Sequence, residues 1–364
     1  MSDTAFIDVT GQQQLLNDLF SATASRGADA ATVQRALDDK TKPPGALGTL
    51  ECVAAQLALL QGTLNPVVDP ARVLVFGADH GLAAEGVSAF PAEVTAQMMA
   101  NFASGGAAVC VLAAANNIDV STIDVGVAAD LQGLAEVVHC KVTDGCANSA
   151  LGPAMTADQC AAAIQVGRDQ IEQAVREGVN CIGLGEMGIG NTASAAAINA
   201  ILSDSAADVW VGRGTGVNAD QLQQKIRIVQ QVVDRHSPDC HSPMDILQRV
   251  GGLEIAAMVG ALLAAADHKL IVIVDGYIAT TAAAIACALE PSARSAQLFA
   301  HCSAEQAHRS LLLRLHAHPL LQLDMRLGEA SGSALAIPLV RAAAAMLSDM
   351  ATFASAEVSG QSTA

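Results

Sequence analysis

The chain is expected to adopt an α/β fold built on a mostly parallel sheet, and three observations support this. Helical stretches rich in Ala, Leu and Gln alternate with short β-branched runs, the order expected of βα units. Each run closes on glycine or a polar residue before the next helical stretch. Apolar residues make up 52% of the 364 residues and aromatic ones only 2%, so the core must be built from Ala, Val, Leu and Ile, with helices packed closely.

The runs, in order, are Arg72 to Gly77 (RVLVFG), Asp119 to Gly126 (DVSTIDVG), Asn180 to Gly185 (NCIGLG), Asp208 to Gly212 (DVWVG) and Leu270 to Gly276 (LIVIVDG). Each is predicted to be a strand that leads through polar residues into a helix. The first sixty residues and the last forty read as helical. Together they are expected to form a smaller lobe, with residues 1–60 as its N-terminal part and 326–364 as a C-terminal loop and helix around a large α/β domain of residues 61–325.

Composition excludes several function classes. A net charge of −17 with no basic stripe argues against nucleic acid or an anionic membrane surface as partner. Nine cysteines lie without short regular spacing, mostly among Ala, Val and Leu, as reduced thiols of a cytoplasmic protein do. The N-terminal MSDTAFIDVT has no basic stretch followed by an apolar one, and the apolar stretch around LIVIVDG is interrupted by Asp267, His268 and Lys269. A cytoplasmic protein without membrane segments is expected.

In open parallel sheets ligands collect outside the carboxyl ends of the strands. Here those ends are polar: ADHG (78–81), GEMGIGNT (185–192), GRGTG (212–216) and DGYIATT (275–281). In the second segment, glycines followed by an Ala-rich helix suit a phosphate, which accepts from the free N–H groups at a helix start. Gly183, Gly185 and Gly188 also satisfy G-x-G-x-x-G formally, so a dinucleotide-binding enzyme is the obvious rival. Against it, Glu186 within the turn would oppose a pyrophosphate. Asp204 and Asp208, moreover, precede the next run and do not end it.

Gly212, Gly214 and Gly216, with Lys225 a helical stretch later, read either as a backbone nest plus ammonium for a phosphate or as a tight turn with a surface lysine. Asp275 ends an apolar run, as a functional carboxylate or as the cap of the following helix. Asp79 and His80 read as an acid–base couple, a metal fragment or loop hydrogen bonding. Cys240-His241, His301-Cys302 and His316-Ala317-His318 lack the second spaced pair of a structural zinc site, so no metal and no cofactor is expected. Glu329, between Gly328 and Gly332 and before an apolar helix, is either a desolvated carboxylate with a task or a charge complementing a helix start.

Taken in order, KPPGALGTLE (42–51), ADHGLAAEGVSAFPAEVTAQMM (78–99), DGCANSALGPAM (144–155), GLGEMGIGNT (183–192), GRGTG, VDGYIATTAA (274–283), HCSAEQAH (301–308) and MRLGEASGSALAIP resemble the nicotinate-nucleotide–dimethylbenzimidazole phosphoribosyltransferase family over nearly the whole chain. The resemblance implies a Rossmann-like three-layer α/β/α fold with a small helical lobe, in a homodimer with sites near the subunit boundary. It implies transfer of phosphoribose from nicotinate mononucleotide to 5,6-dimethylbenzimidazole, with inversion at C1′ and nicotinate as leaving group.

By the same resemblance Glu329 is the general base, with Glu186 and Asp275 lining its pocket. The donor phosphate and ribose fall to Gly188, Gly214, Gly216, Lys225 and Ser303. The acceptor ring falls to the segment from Ser88 to Met98, including Phe90, together with Met187 and Leu327. Ala46, Thr49 and Ala330 stand where Ser, Arg and Gly are frequent in the family, which leaves the acceptor open among benzimidazoles, purines and phenols. Two readings from other classes stay open beside this one. An NAD-dependent oxidoreductase predicts saturable NAD(H) binding, and a non-catalytic nucleotide-binding partner subunit predicts donor binding without turnover.

Overall fold

The computed structural model describes residues 29–214 and 216–359. The expectations for residues 1–28 and 360–364, and for Thr215 of the GRGTG segment, lie outside them. In chain order the described elements are α1 (Ala30–Asp38), α2 (Thr49–Gln61), β1 (Ala71–Ala78), α3 (Val94–Ala103), α4 (Ala108–Ala115), β2 (Asp119–Gly126), β3 (Val137–His139), α5 (Ala157–Arg176), β4 (Cys181–Met187), α6 (Asn191–Leu202), α7 (Ala219–His236), α8 (Pro243–Val250), α9 (Leu253–Asp267), β5 (Ile271–Val274), α10 (Tyr277–Leu289), β6 (Gln297–His301), α11 (His308–Arg314), β7 (Pro319–Leu321) and α12 (Ser331–Asp349).

The strands form one sheet in the order β3-β2-β1-β4-β5-β6-β7, with every neighbouring pair parallel. The central strands β1, β4 and β5 are buried along almost their whole length, which is why they read as near-continuous apolar runs. Alternate side chains serve two cores: Leu74, Phe76 and Ala78 of β1 face one, Ala71, Val73 and Val75 the other. Helices α5, α6, α9 and α10 cover the first face, and α2, α3, α4 and α12 the second. The result is the three-layer α/β/α arrangement with a parallel sheet.

The shortage of aromatics shows in how the helices meet. A Cβ added at Gly167 of α5 would lie 1.8 Å from the Ala257 carbonyl oxygen of α9, and one at Gly260 of α9 would lie 1.9 Å from the Ile164 oxygen of α5. The two backbones touch through reciprocal glycines, a separation that any larger residue would open.

Four sequence expectations need correction. Asp208 to Gly212 is not a strand: Ala207–Val209 is a single 3-10 turn, and the neighbours of β4 in the sheet are β1 and β5. The run instead buries Trp210, whose indole N–H donates to Ser203 Oγ and Ser205 Oγ at 3.0 and 2.7 Å and whose carbonyl accepts from the Tyr277 hydroxyl at 3.0 Å. Strand β4 extends beyond Gly185 to Met187, so Glu186 lies in the strand and not in the turn. No helix separates β2 from β3. The short strands β3, β6 and β7 were not foreseen; two of them have three residues, too few for a periodic pattern.

Candidate active site

The carboxyl ends of β4, β5 and β6 and the loop before α12 converge on one cavity. Its walls include Glu186, Met187 and Gly188 from β4 and the turn after it, Ser303 from the segment after β6, Gly214, and Leu327 to Glu329.

The glycines of GLGEMGIG serve packing. Added Cβ atoms would meet Val73 Cγ2 at 2.8 Å from Gly183, the Ala330 backbone nitrogen at 2.3 Å from Gly185 and the Ala78 oxygen at 2.5 Å from Gly188. Two of the three lie inside β4, so the spacing that matches a dinucleotide fingerprint brings the sheet against the α12 loop. The turn after β4 ends on Gly190, whose φ of 100° starts α6 directly behind the cavity.

Glu186 is buried at 7% exposure and accepts from the Asn191 side-chain amide at the start of α6. Burial raises its carboxyl to about 8, and the neighbouring carboxylates of Glu254, Asp275 and Glu329 add to the rise against the Asn191 bond. It is therefore mostly protonated at neutral pH.

Asp275 follows β5 and does not cap its own helix, since the N-cap of α10 is Gly276 with no side-chain bond. Its Oδ1 instead accepts from the Ser333 N–H of α12 at 3.1 Å, and it lies 3.8 Å from His301 Nε2. Burial raises its carboxyl pKa, opposed by His301 and by the backbone N–H groups of Ser333, Gly332 and Ala330. A Cβ at Gly332 would come within 2.3 Å of His301 Cδ2 and 2.7 Å of Asp275 Oδ1, so a larger residue there would displace both buried side chains. Asp275 thus supplies the charge at the α12 start that Glu329 alone would otherwise supply, and Glu329 is left to the cavity.

Glu329 stands on backbone that few residues adopt. Gly328, Glu329 and Ala330 have φ of 83°, 61° and 60°, three consecutive left-handed residues. The Ser331 N–H closes the turn on the Gly328 carbonyl at 3.1 Å, and α12 locks it in place from the other side. This turn carries the Glu329 carboxyl to the cavity wall at 7% exposure. Burial raises it to about 7, helped by the charge of Asp275. A carboxyl poised there takes up and gives back a proton at neutral pH with little free-energy change.

Another part of the lining is suited to an anion. Lys225 of α7, at 1% exposure, is no surface lysine: its Nζ donates to Thr192 Oγ1 at 2.9 Å and to the Gly212 carbonyl at 3.3 Å. Burial lowers it to about 8, against the pull of Glu305. Glu305 lines the cavity and accepts from the Gly214 N–H at 3.2 Å. The Ser303 N–H donates to His308 Nδ1 at 2.9 Å, which leaves Nε2–H to donate to Thr280 Oγ1, also at 2.9 Å. Burial holds His308 near 3, so the ring is a neutral prop for the Ser303 turn.

Of the residues singled out from the sequence, Glu186, Met187, Gly188, Gly214, Ser303, Leu327 and Glu329 line one cavity, while Asp275 and Lys225 stand directly behind its wall. Ser88, Phe90, Met98 and Gly216 are not among its lining residues. Phe90 is 49% exposed, and its segment is tied to the site through Thr95 Oγ1, which accepts from the Ile189 N–H at 3.1 Å.

His80 proves to be paired with the buried Glu254 at 2.7 Å beneath Gly188, and Asp79 accepts from the Ala128 N–H at 2.8 Å, as loop hydrogen bonding. Sequence reasoning missed Glu305, which lies inside the quoted HCSAEQAH segment, and the role of His301 beside Asp275. A charged residue within a polar strand end was the available signal for both.

A phosphoribosyltransferase family model matches residues 24–358. The nicotinate-nucleotide–dimethylbenzimidazole phosphoribosyltransferase of Cupriavidus taiwanensis is 47% identical over 327 residues, covering 90% of this chain and 94% of that protein. Its counterpart in Pseudomonas syringae pv. syringae is 47% identical, covering 87% of this chain and 91% of that one. The crystal structure of CobT from Thermus thermophilus superposes with a TM-score of 0.86 at 41% identity, covering 94% of this chain and all of that one. The chain belongs to the nicotinate-nucleotide–dimethylbenzimidazole phosphoribosyltransferase family.

Proposed function

We propose that this protein transfers the phosphoribosyl group of nicotinate mononucleotide to 5,6-dimethylbenzimidazole or a related base, giving α-ribazole 5′-phosphate and nicotinate in cobalamin nucleotide-loop assembly. The observation that carries this reading is a carboxyl on a left-handed turn, raised to about 7, that lines one cavity with Gly214 and Ser303. The bond from C1′ to the pyridinium nitrogen breaks and nicotinate leaves with that electron pair as a neutral ring. One ring nitrogen of the acceptor attacks C1′ from the opposite face, inverting β to α, and Glu329 takes the proton from the other ring nitrogen.

In this reading Glu186 and Asp275 act in the same pocket, one accepting hydrogen bonds or orienting a ring, the other holding the α12 start. The donor's phosphate and ribose lie toward Gly188, Gly214, Gly216, Lys225 and Ser303. Met187 and Leu327 flank the acceptor, and the segment from Ser88 to Met98, including Phe90, completes its slot. A homodimer with sites near the subunit boundary accommodates the exposed apolar side chains of Phe90 and Val111, at 49% and 59% exposure, in and beyond that segment. Nine unpaired cysteines favour a cytoplasmic setting. Placement of two fingerprint glycines within β4 speaks against the dinucleotide rival.

The test is nicotinate release from nicotinate mononucleotide by the purified chain, which the reading expects only when a benzimidazole is present. Release independent of acceptor, or none with any base, removes it. Saturable NAD(H) binding would favour the oxidoreductase, and turnover restored only by a second homologous chain would favour the partner subunit.

A further inference from the structure

The anion corner already holds an anion of the protein's own. Glu305 is 8% exposed, and both of its carboxylate oxygens lie against the Gly214 N–H, at 3.2 and 3.3 Å. Its carboxylate sits directly over Gly212, where an added Cβ would be 1.8 Å from Oε1. Lys225 Nζ binds the Gly212 carbonyl of the same loop and Thr192 Oγ1. The glycine loop is therefore clasped between a carboxylate and an ammonium group, and the carboxylate occupies the Gly214 N–H at the cavity wall.

An amide N–H of this kind serves one anion at a time. A phosphate brought to Gly214, Ser303 and Thr192 would meet the Glu305 carboxylate at contact range, where two like charges repel strongly in a largely desolvated site. Lys225 Nζ, held by the Gly212 carbonyl and Thr192 Oγ1, attracts either anion to this corner and leaves the two in competition for the one N–H.

We propose that Glu305 is a displaceable latch: with no donor bound, its carboxylate occupies the anion seat at Gly214, and the donor's 5′-phosphate takes the seat by turning Glu305 out. This rests on the phosphoribosyl-donor reading above. The Glu305 backbone N–H donates to Ser303 Oγ at 3.2 Å, which leaves the Ser303 hydroxyl hydrogen free to donate to the phosphate. A ligand lacking a phosphate has nothing with which to compete for the seat. The latch thus makes the corner selective for a dianion, at the expense of apparent affinity for every anion.

Inorganic phosphate binding, measured by titration calorimetry on the full chain, tests the latch without turnover. Glu305→Gln keeps the shape but loses the charge, and it is expected to bind phosphate at least about tenfold more tightly than the parent. The donor KM should fall with it. Glu305→Ala is the second arm, expected to move in the same direction, and Lys225→Met should weaken binding. Phosphate binding by Glu305→Gln and Glu305→Ala that equals or falls below the parent's overturns the latch and leaves the donor reading standing. No measurable phosphate binding by the parent or either variant removes the donor corner and the latch with it.

Discussion

Glu186→Gln should stabilise the protein, increasingly so as pH rises. The carboxyl has an ordinary value of 4.5 and is raised to about 8 by burial at the end of β4. Between those values the native state binds more protons than the unfolded state, so this group's contribution is fully present below about pH 4.5 and is lost as pH rises toward 8. At about 1.4 kcal/mol for each unit between the ordinary value and the working pH, the loss is roughly 3 kcal/mol at pH 7 and approaches about 5 above pH 8. Gln removes the titration and still accepts from Asn191. Urea denaturation of parent and variant at pH 5, 6, 7 and 8.5 reads the difference. The two stabilities should nearly coincide at pH 5 and diverge steadily above it. Parallel curves across that range would refute the claim that a desolvated carboxyl closes β4.

The profile of kcat/KM against pH should be bell-shaped, rising as Glu329 loses its proton near 7 and falling as Lys225 loses its own near 8; Glu329→Gln should abolish the rising limb only. Asp275→Asn removes the charge that, after burial, holds Glu329 up, so the rising limb should shift to lower pH while the Asn oxygen still accepts from Ser333. Gly167→Ala should destabilise the fold by about 2 to 3 kcal/mol through the α5–α9 contact. Gly133→Ala, which faces open space, should stay within about 1 kcal/mol of the parent in the same thermal melt.

The sequence disclosed the layers of the fold because a doubly buried strand leaves an unbroken apolar run. β1, β4 and β5 are such strands. DVWVG misled because two valines around a tryptophan look like a strand, while the sheet positions beside β4 belong to β1 and β5. Glu329, Glu186 and Asp275 were legible as ionisable groups at strand ends or between glycines. What could not be read was how they divide the work. Asp275 holds α12 through a contact spanning 58 residues of chain, and no local pattern reports that. Lys225 looked like a possible surface lysine because its partners Thr192 and Gly212 lie 33 and 13 residues away. Glu305 went unread for the same reason, since its partner Gly214 is 91 residues distant.

The central claim is that Glu329 takes the acceptor's N–H proton. The most direct test compares Glu329→Gln with the parent in turnover and, separately, in benzimidazole binding by equilibrium titration. Loss of a general base predicts a fall in kcat of about 10² to 10⁴ with acceptor Kd within a few-fold. Turnover left intact with acceptor binding weakened would contradict the claim and reduce Glu329 to holding the ring.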